Sequence, residues 1–365
     1  MNHELEPILF GMDGEDTGSY SLDEENLGFQ VAFAEDLPEW ARGSVRIRRY
    51  PRGNGPAEVR ILENIRRLVE HDNVVGLVNW GGAAAGTVAQ YAASRQVPLL
   101  FPHTALIDST NQRYVFTSFP SYEAEAQMMM RYLADTYGMR RIAVVHDVNA
   151  YGHIFLKQIR QHSVALGYTV TGAAGLESRT PPDLQPLLSD LLAQRPDMIF
   201  MALYPAQART LMQAKSALGW GGRMVCAGPL TDEQYLNMPD GSAEGTLGFC
   251  YYPDPEISTA PGVAAYRASM QRHRPGHAFN RYSLYGYAFG RLVVEGLRQA
   301  GPSVTRESLI DGLESLRHWD SGGILPAVSF SPGRHHAQDA GFIGELRARR
   351  IEPLTNWIQL PCTTT

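Results

Sequence analysis

The stretch from Arg140 to Tyr151, reading Arg-Arg-Ile-Ala-Val-Val-His-Asp-Val-Asn-Ala-Tyr, allows little choice of local structure. Ile142 to Val145 is a short apolar run rich in β-branched residues, with charge before it and His146-Asp147 after it, the pattern of a buried parallel strand. Asn149 to Gly152 then make a polar turn, and Ile154, Phe155 and Ile159 recur at helical spacing up to a stop at Gly167. Strand, loop and helix in this order open an α/β lobe, and the chain before this point mirrors the chain after it. In an open parallel sheet ligands bind beyond the carboxyl ends of the strands, so Asp147 to Tyr151 belong at the lip of a cleft. Tyr151 is the first candidate for a binding residue.

The same alternation runs through the preceding residues. Strands are predicted over 7–11, 44–50, 74–78, 97–101 and 114–118, with helices over 22–37, from Val59 to Val69 and over 83–94. A helix over 122–137 leads into the central strand. Beyond it, helices from Leu184 to Leu192 and over 206–218 alternate with strands over 198–203, 224–227 and 247–252. The pattern then turns helical over 263–272, 281–300 and 306–316, before a strand near 327–330, a polar turn over 331–338 and a closing hairpin over 341–360. A chain of 365 residues that is 44% hydrophobic fills two ordinary cores. The fold class that follows is α/β, with parallel sheets in two Rossmann-like lobes.

Several function classes drop out. A net charge of −6 without a basic stripe argues against nucleic acid. The three cysteines, Cys226, Cys250 and Cys362, have no CxxC spacing, so neither a metal cluster nor a disulfide scaffold is expected, although Cys226 and Cys250 both fall in predicted strands and could pair. His335-His336 hints at metal, but adjacent histidines on a turn seldom chelate alone and read as a solvated turn. No GxSxG, HExxH, P-loop or early GxGxxG motif is present, so neither an enzyme nor a bound cofactor is expected. No transmembrane run occurs, and the first residues lack the pattern of a signal peptide, so Met1 to Glu6 read as a cytosolic start or a trimmed one.

The predicted carboxyl-end loops collect Gly81-Gly82, His103-Thr104, Tyr122, Asp147, Tyr151, Tyr204 and Leu230-Thr231 from both halves. Aromatic faces with hydroxyl and backbone N–H donors between them suit a small ligand in a cleft. Each has a structural alternative: a tight turn for the glycines, interface core for Tyr151 and Tyr204, and stacking against solvent for Tyr122. Without an evident nucleophile and base, the set reads as binding rather than catalysis.

The order of elements resembles that of the type I periplasmic solute-binding proteins of the leucine/isoleucine/valine-binding group, which also contains the cytoplasmic amide sensor of amidase operons. The resemblance rests on the Arg-Ile-Ala-Val-Val-His-Asp strand with Tyr151-Gly152, on Leu99-Leu100-Phe101-Pro102, on Tyr204 after Ile199-Phe200, on Gly228-Pro229 and on Ser242-Ala243-Glu244-Gly245. It implies two lobes joined by three crossovers near 119–122, 251–254 and 330–332, closing like a hinged trap. The first lobe would then comprise 7–120 and 254–330, and the second 121–253 and 331–360.

Carried over by position, the carboxylate-binding loop maps to Gly82 and to His103, Thr104 and Ala105, the cleft tyrosines to Tyr151 and Tyr204, and a first-lobe aromatic approximately to Tyr20. Amino-acid binders have a serine at Gly82 and acidic residues at Tyr122 and Leu230, and a buried ammonium without a carboxylate partner is costly. With Thr231 beside Leu230, the expected ligand is an aromatic or aliphatic carboxylate or an amide, before an ordinary α-amino acid. The resemblance implies the membrane permease of an ABC transporter as partner, no direct membrane insertion, and a periplasmic or extracellular location after removal of a signal peptide. The alternative is a cytoplasmic sensor of the amide-receptor kind.

Overall fold

Short apolar strands joined by helices set the architecture, and a computed structural model describes residues 7–12, 22–50, 57–81 and 85–360. In chain order β1 (Ile8–Met12), α1 (Leu22–Asp36), β2 (Val45–Arg48), α2 (Ala57–Arg66), β3 (Gly76–Val78), α3 (Ala85–Ser94), β4 (Leu99–Leu100) and β5 (Val115–Phe116) come first, with a wide π turn over Arg67–His71 ending α2. They are followed by α4 (Tyr122–Tyr137), β6 (Arg141–Asp147), α5 (Ala150–Leu166), β7 (Thr169–Leu176), α6 (Gln185–Ala193), β8 (Met198–Ala202), α7 (Pro205–Ala217), β9 (Arg223–Cys226), α8 (Glu233–Leu236) and β10 (Leu247–Cys250). Helices α9 (Pro261–His273), α10 (Arg281–Ala300) and α11 (Arg306–Glu314) precede a last group of strands, β11 (Ala340–Arg347), β12 (Arg350–Pro353) and β13 (Ile358–Gln359). Two units result: Met1–Phe119 with Tyr252–Gln338, and Pro120–Tyr251 with Asp339–Thr365.

The first unit holds a parallel five-stranded sheet in the order β2-β1-β3-β4-β5. In the second, β7-β6-β8-β9-β10 run parallel in the same relative order, and β11 then adds antiparallel to β10, with β12 and β13 antiparallel to β11. The strand order therefore reverses beside β1 in one unit and beside β6 in the other, the position at which loops on either side part and leave room for a ligand. The central strands are apolar throughout because helices cover both faces: every residue of β8 is buried, as are Ile142 to Asp147 of β6. Helix ends follow their caps. Ser121 Oγ accepts from Ala124 N at the start of α4, Asn149 Oδ1 from Gly152 N at the start of α5, and Gly138 and Gly167 close these helices with φ of 62° and 69°.

Three expectations fail for identifiable reasons. Strand β7 was not expected: it is the edge strand, half exposed, and its sequence Thr-Val-Thr-Gly-Ala-Ala-Gly-Leu has no apolar run. The strand near 327–330 reduces to one antiparallel bridge between Trp319 and Val328. Residues 331–338, assigned by resemblance to the second lobe, belong to the first unit, because Thr117 N donates to His335 O and Ala337 N to Thr117 O, both at 2.9 Å. His335 is accordingly no solvated turn residue. Its ring is buried and stacked on Phe116 with centroids 4.0 Å apart, and its Nε2 lies 2.8 Å from Glu314 Oε1. Cys226 and Cys250, on adjacent strands, remain thiols.

In the first unit, α1 and α10 cross at backbone contact. A Cβ on Gly286 would overlap the carbonyl oxygen of Glu25, and one on Gly28 that of Ser283. Gly286→Ala should therefore destabilise the protein by about 3 kcal/mol or more, the upper range for overpacking. Gly86→Ala, at an open position of α3, should be neutral or stabilise by up to about 1 kcal/mol. Urea denaturation of the two variants checks both signs.

Candidate functional site

Each unit offers one face at the carboxyl ends of its strands. In the first unit the chain leaves β3 through Asn79-Trp80-Gly81 and β4 through Phe101 to Thr104, with Asn79 and Phe101 in left-handed backbone at φ of 52° and 53°. His103 N donates to Trp80 O at 2.9 Å, which extends the pairing of the two strands as far as Gly81 and His103. Below these turns lies the first turn of α1. Asn79 Nδ2 donates to Asn26 Oδ1 at 3.0 Å, and Glu25, fully buried, meets His103 Nδ1 through Oε1 at 2.5 Å.

The His103 ring is packed against Tyr282 at 5.4 Å and meets Phe119 and Tyr285 edge-on at 4.9 Å and 5.4 Å, while Tyr285 Oη donates to Phe101 O. Burial raises the Glu25 carboxyl above its usual range, against the charge of His103 and its hydrogen bond. The expectation that His103 aims its donors at a ligand is thus corrected for Nδ1, which is turned inward to Glu25. Thr104 is buried, and its Oγ1 accepts from Leu106 N at 3.1 Å, so what the hydroxyl has to offer a ligand is its proton. Ala105 beside it is half-buried. Tyr20 and Gly82 lie outside the described residues.

In the second unit an aromatic cluster sits where β6 and β8 end. Tyr151 meets Tyr122 at 5.1 Å, Phe155 at 5.4 Å and Tyr204 at 6.0 Å, all edge-on. Tyr122 and Tyr151 are buried and Tyr204 is half-buried, so Tyr122 does not stack on solvent. Tyr204 Oη accepts from Asn149 Nδ2 at 3.1 Å, and Tyr204 N donates to Gln207 Oε1 at 3.0 Å, closing the start of α7. Leu230 and Thr231 are engaged within their own unit. Leu230 is fully buried in the unit's apolar core, and the Thr231 hydroxyl donates to Ala227 O at 3.2 Å and packs against Gly248.

The sequence reading placed Asp147 at a strand end but missed the buried carboxylates Glu25 and Glu125. Leu22, Glu25, Asn26 and Phe29 on α1, and Tyr122, Glu125, Ala126 and Met129 on α4, each follow the i, i+3, i+4, i+7 spacing of one helix face, and all eight are buried. That spacing was the available signal: a carboxylate inside an apolar stripe. Glu125 Oε1 accepts from Gly228 N at 2.7 Å and Oε2 accepts from Tyr251 Oη. Asp147, also buried, accepts from Gln207 Nε2 at 2.9 Å and pairs with Arg179 Nε at 3.0 Å. Among the described residues no group of three or more His, Cys, Asp or Glu side chains could hold a metal ion.

Burial pushes the Glu125 carboxyl up to about 7, while Tyr251 and the Gly228 N–H pull it down. A carboxyl raised in this way contributes most to stability below its unfolded value near 4.5, and that contribution is lost as pH rises through about 7. In Glu125→Gln the amide oxygen can still accept from Gly228 and its nitrogen can donate to Tyr251. Wild type should therefore lose on the order of 3 kcal/mol relative to Glu125→Gln between pH 5 and pH 8. Parallel stability profiles in urea across that range would count against an isolated buried carboxyl.

The comparisons with known proteins agree with this architecture. The family model described as periplasmic binding protein matches residues 53–350. No curated protein matches the chain in sequence. Among solved structures, an ABC transporter substrate binding protein from Aeropyrum pernix superposes with a TM-score of 0.84 at 18% identity, covering 98% of this chain and 97% of its own. A branched chain amino acid ABC transporter protein from Thermus thermophilus with bound valine gives 0.81 at 16% identity, with 98% of each chain covered. A fatty acid ABC transporter substrate-binding protein from Thermomonospora curvata gives 0.80 at 17% identity, covering 97% of this chain and 93% of its own. With a family model spanning most of its length and two units of matching α/β topology, the chain belongs to the periplasmic binding protein family and has the type I fold.

Proposed function

We propose that this chain is the solute-binding protein of an ABC-type importer, working outside the cytoplasmic membrane with a membrane permease, and that its solute is a small organic carboxylate or amide before an ordinary α-amino acid. It acts by binding and hinge closure, without turnover. What supports the reading is the commitment, among the described residues, of the acidic side chains near the two carboxyl-end faces. Glu25 is engaged with His103, Asp147 with Gln207 and Arg179, and Glu125 with Tyr251 and Gly228. Asp232 caps α8 by accepting from Gln234 N at 2.8 Å. A ligand ammonium would need a carboxylate of its own, and to strip one from these pairs would leave a buried charge unmet. Thr104, Tyr151 and Tyr204 supply hydroxyl and aromatic contacts that suit an uncharged or acidic solute.

Calorimetry with a matched set of 4-methylpentanoate, 4-methylpentanamide and leucine tests the class. The acid or the amide should bind at least about tenfold tighter than leucine, a difference of about 1.4 kcal/mol, and tighter binding of leucine overturns the reading. Thr104→Val should weaken acid and amide alike, by roughly fivefold to tenfold, as expected for one hydrogen bond.

A further inference from the structure

In the second unit, the turn after β7 is tied to the turns after β6 and β8 through one buried side chain. Gln207 takes Tyr204 N on its oxygen and donates from Nε2 to Asp147 Oδ2 at 2.9 Å and to Ser178 O at 3.0 Å. Ser178 thereby fixes its neighbour Arg179, whose guanidinium lies 3.4 Å above the centroid of the Tyr204 ring with Nε 3.0 Å from Asp147 Oδ2. A long cationic side chain would ordinarily sample many rotamers, and here it is clamped between a carboxylate and an aromatic face. It nevertheless stays 46% exposed. Clamping costs side-chain entropy, and a guanidinium already paid for in this way binds a further anion with less to lose.

We infer that Arg179 is the residue that reads the charge of the solute: it takes the carboxylate of an acidic ligand at the carboxyl-end face of the second unit. This rests on the proposed importer function and deepens it from "acid or amide" to a preference for the acid. Five N–H groups in a planar fork allow Asp147 and a ligand carboxylate to be served together. The Tyr204 ring behind the guanidinium presents it as a rigid plate.

The test is calorimetry of wild type, Arg179→Met and Arg179→Lys with two matched pairs, 4-methylpentanoate with 4-methylpentanamide and phenylacetate with phenylacetamide. In Arg179→Met the acid of a pair that binds should weaken by at least about thirtyfold and its amide by less than about threefold. Arg179→Lys, which keeps the charge and loses the fork, should fall between. Since Arg179→Met leaves Asp147 with less compensation, the double variant Asp147→Asn/Arg179→Met serves as the folded control and should show the same acid-selective loss. Equal losses for acid and amide would make Arg179 a support for Tyr204 and overturn the inference, as would unchanged acid affinity. A wild type that binds leucine tightly and neither acid nor amide removes the proposed solute class, and this inference with it.

Discussion

A carboxylate on the buried stripe of a helix has to be met by another element, and both units are organised around that demand. Glu25 on α1 fixes the turn after β4 by holding His103, and the same turn is then enclosed by Phe119, Tyr282 and Tyr285. Glu125 on α4 fixes the turn after β9 through Gly228 N and the end of β10 through Tyr251. The partners differ in kind. Glu25 faces an imidazole, whereas Glu125 is met by a phenol hydroxyl and a backbone N–H, and burial pushes its carboxyl up to about 7 although both donors pull it down.

The repeated strand order gives these anchors their use. Where β1 and β6 have neighbours on both sides, the loops that follow must diverge, and side chains on them are held by their own unit and not by one another's flexibility. The second unit shows this most fully. Asn149, Gln207 and Arg179 hold Tyr204 by its hydroxyl, its backbone and its ring face. Such a side chain is presented in one orientation, which is the condition for discrimination between similar solutes.

The fold was legible wherever both faces of a strand are covered. The apolar run of β6 could be read almost to the residue, since burial on both sides forces continuous apolar sequence, and the span of α4 was read with it. The edge strand β7 was hidden because one covered face leaves no such run, and residues 331–338 were misplaced because their attachment, a backbone ladder to Thr117 with the His335 ring on Phe116 and Glu314, joins residues far apart in sequence. At the site, residue type located Tyr151 and Tyr204 at strand ends but could not tell Leu230, which points into the core, from a residue at the face. Glu25 and Glu125 do not stand out in the sequence, where a carboxylate near a helix start is commonplace. Their positions on the stripe set them apart, and only the partners, far away in sequence, make such positions tolerable.

The crossing of α1 and α10 at Gly28 and Gly286 has a consequence in time. These helices lie at opposite ends of the chain, with the whole of 120–251 between them. During synthesis α1 waits for its partner until the whole of 120–251 has been made, whereas β6 to β10 are completed in one continuous stretch. Contacts so distant in sequence form late, and domains fold as units as they emerge. The second unit, which lacks only its antiparallel strands β11 to β13 at that point, therefore has its parallel sheet available while α1 still exposes the face it will bury against α10.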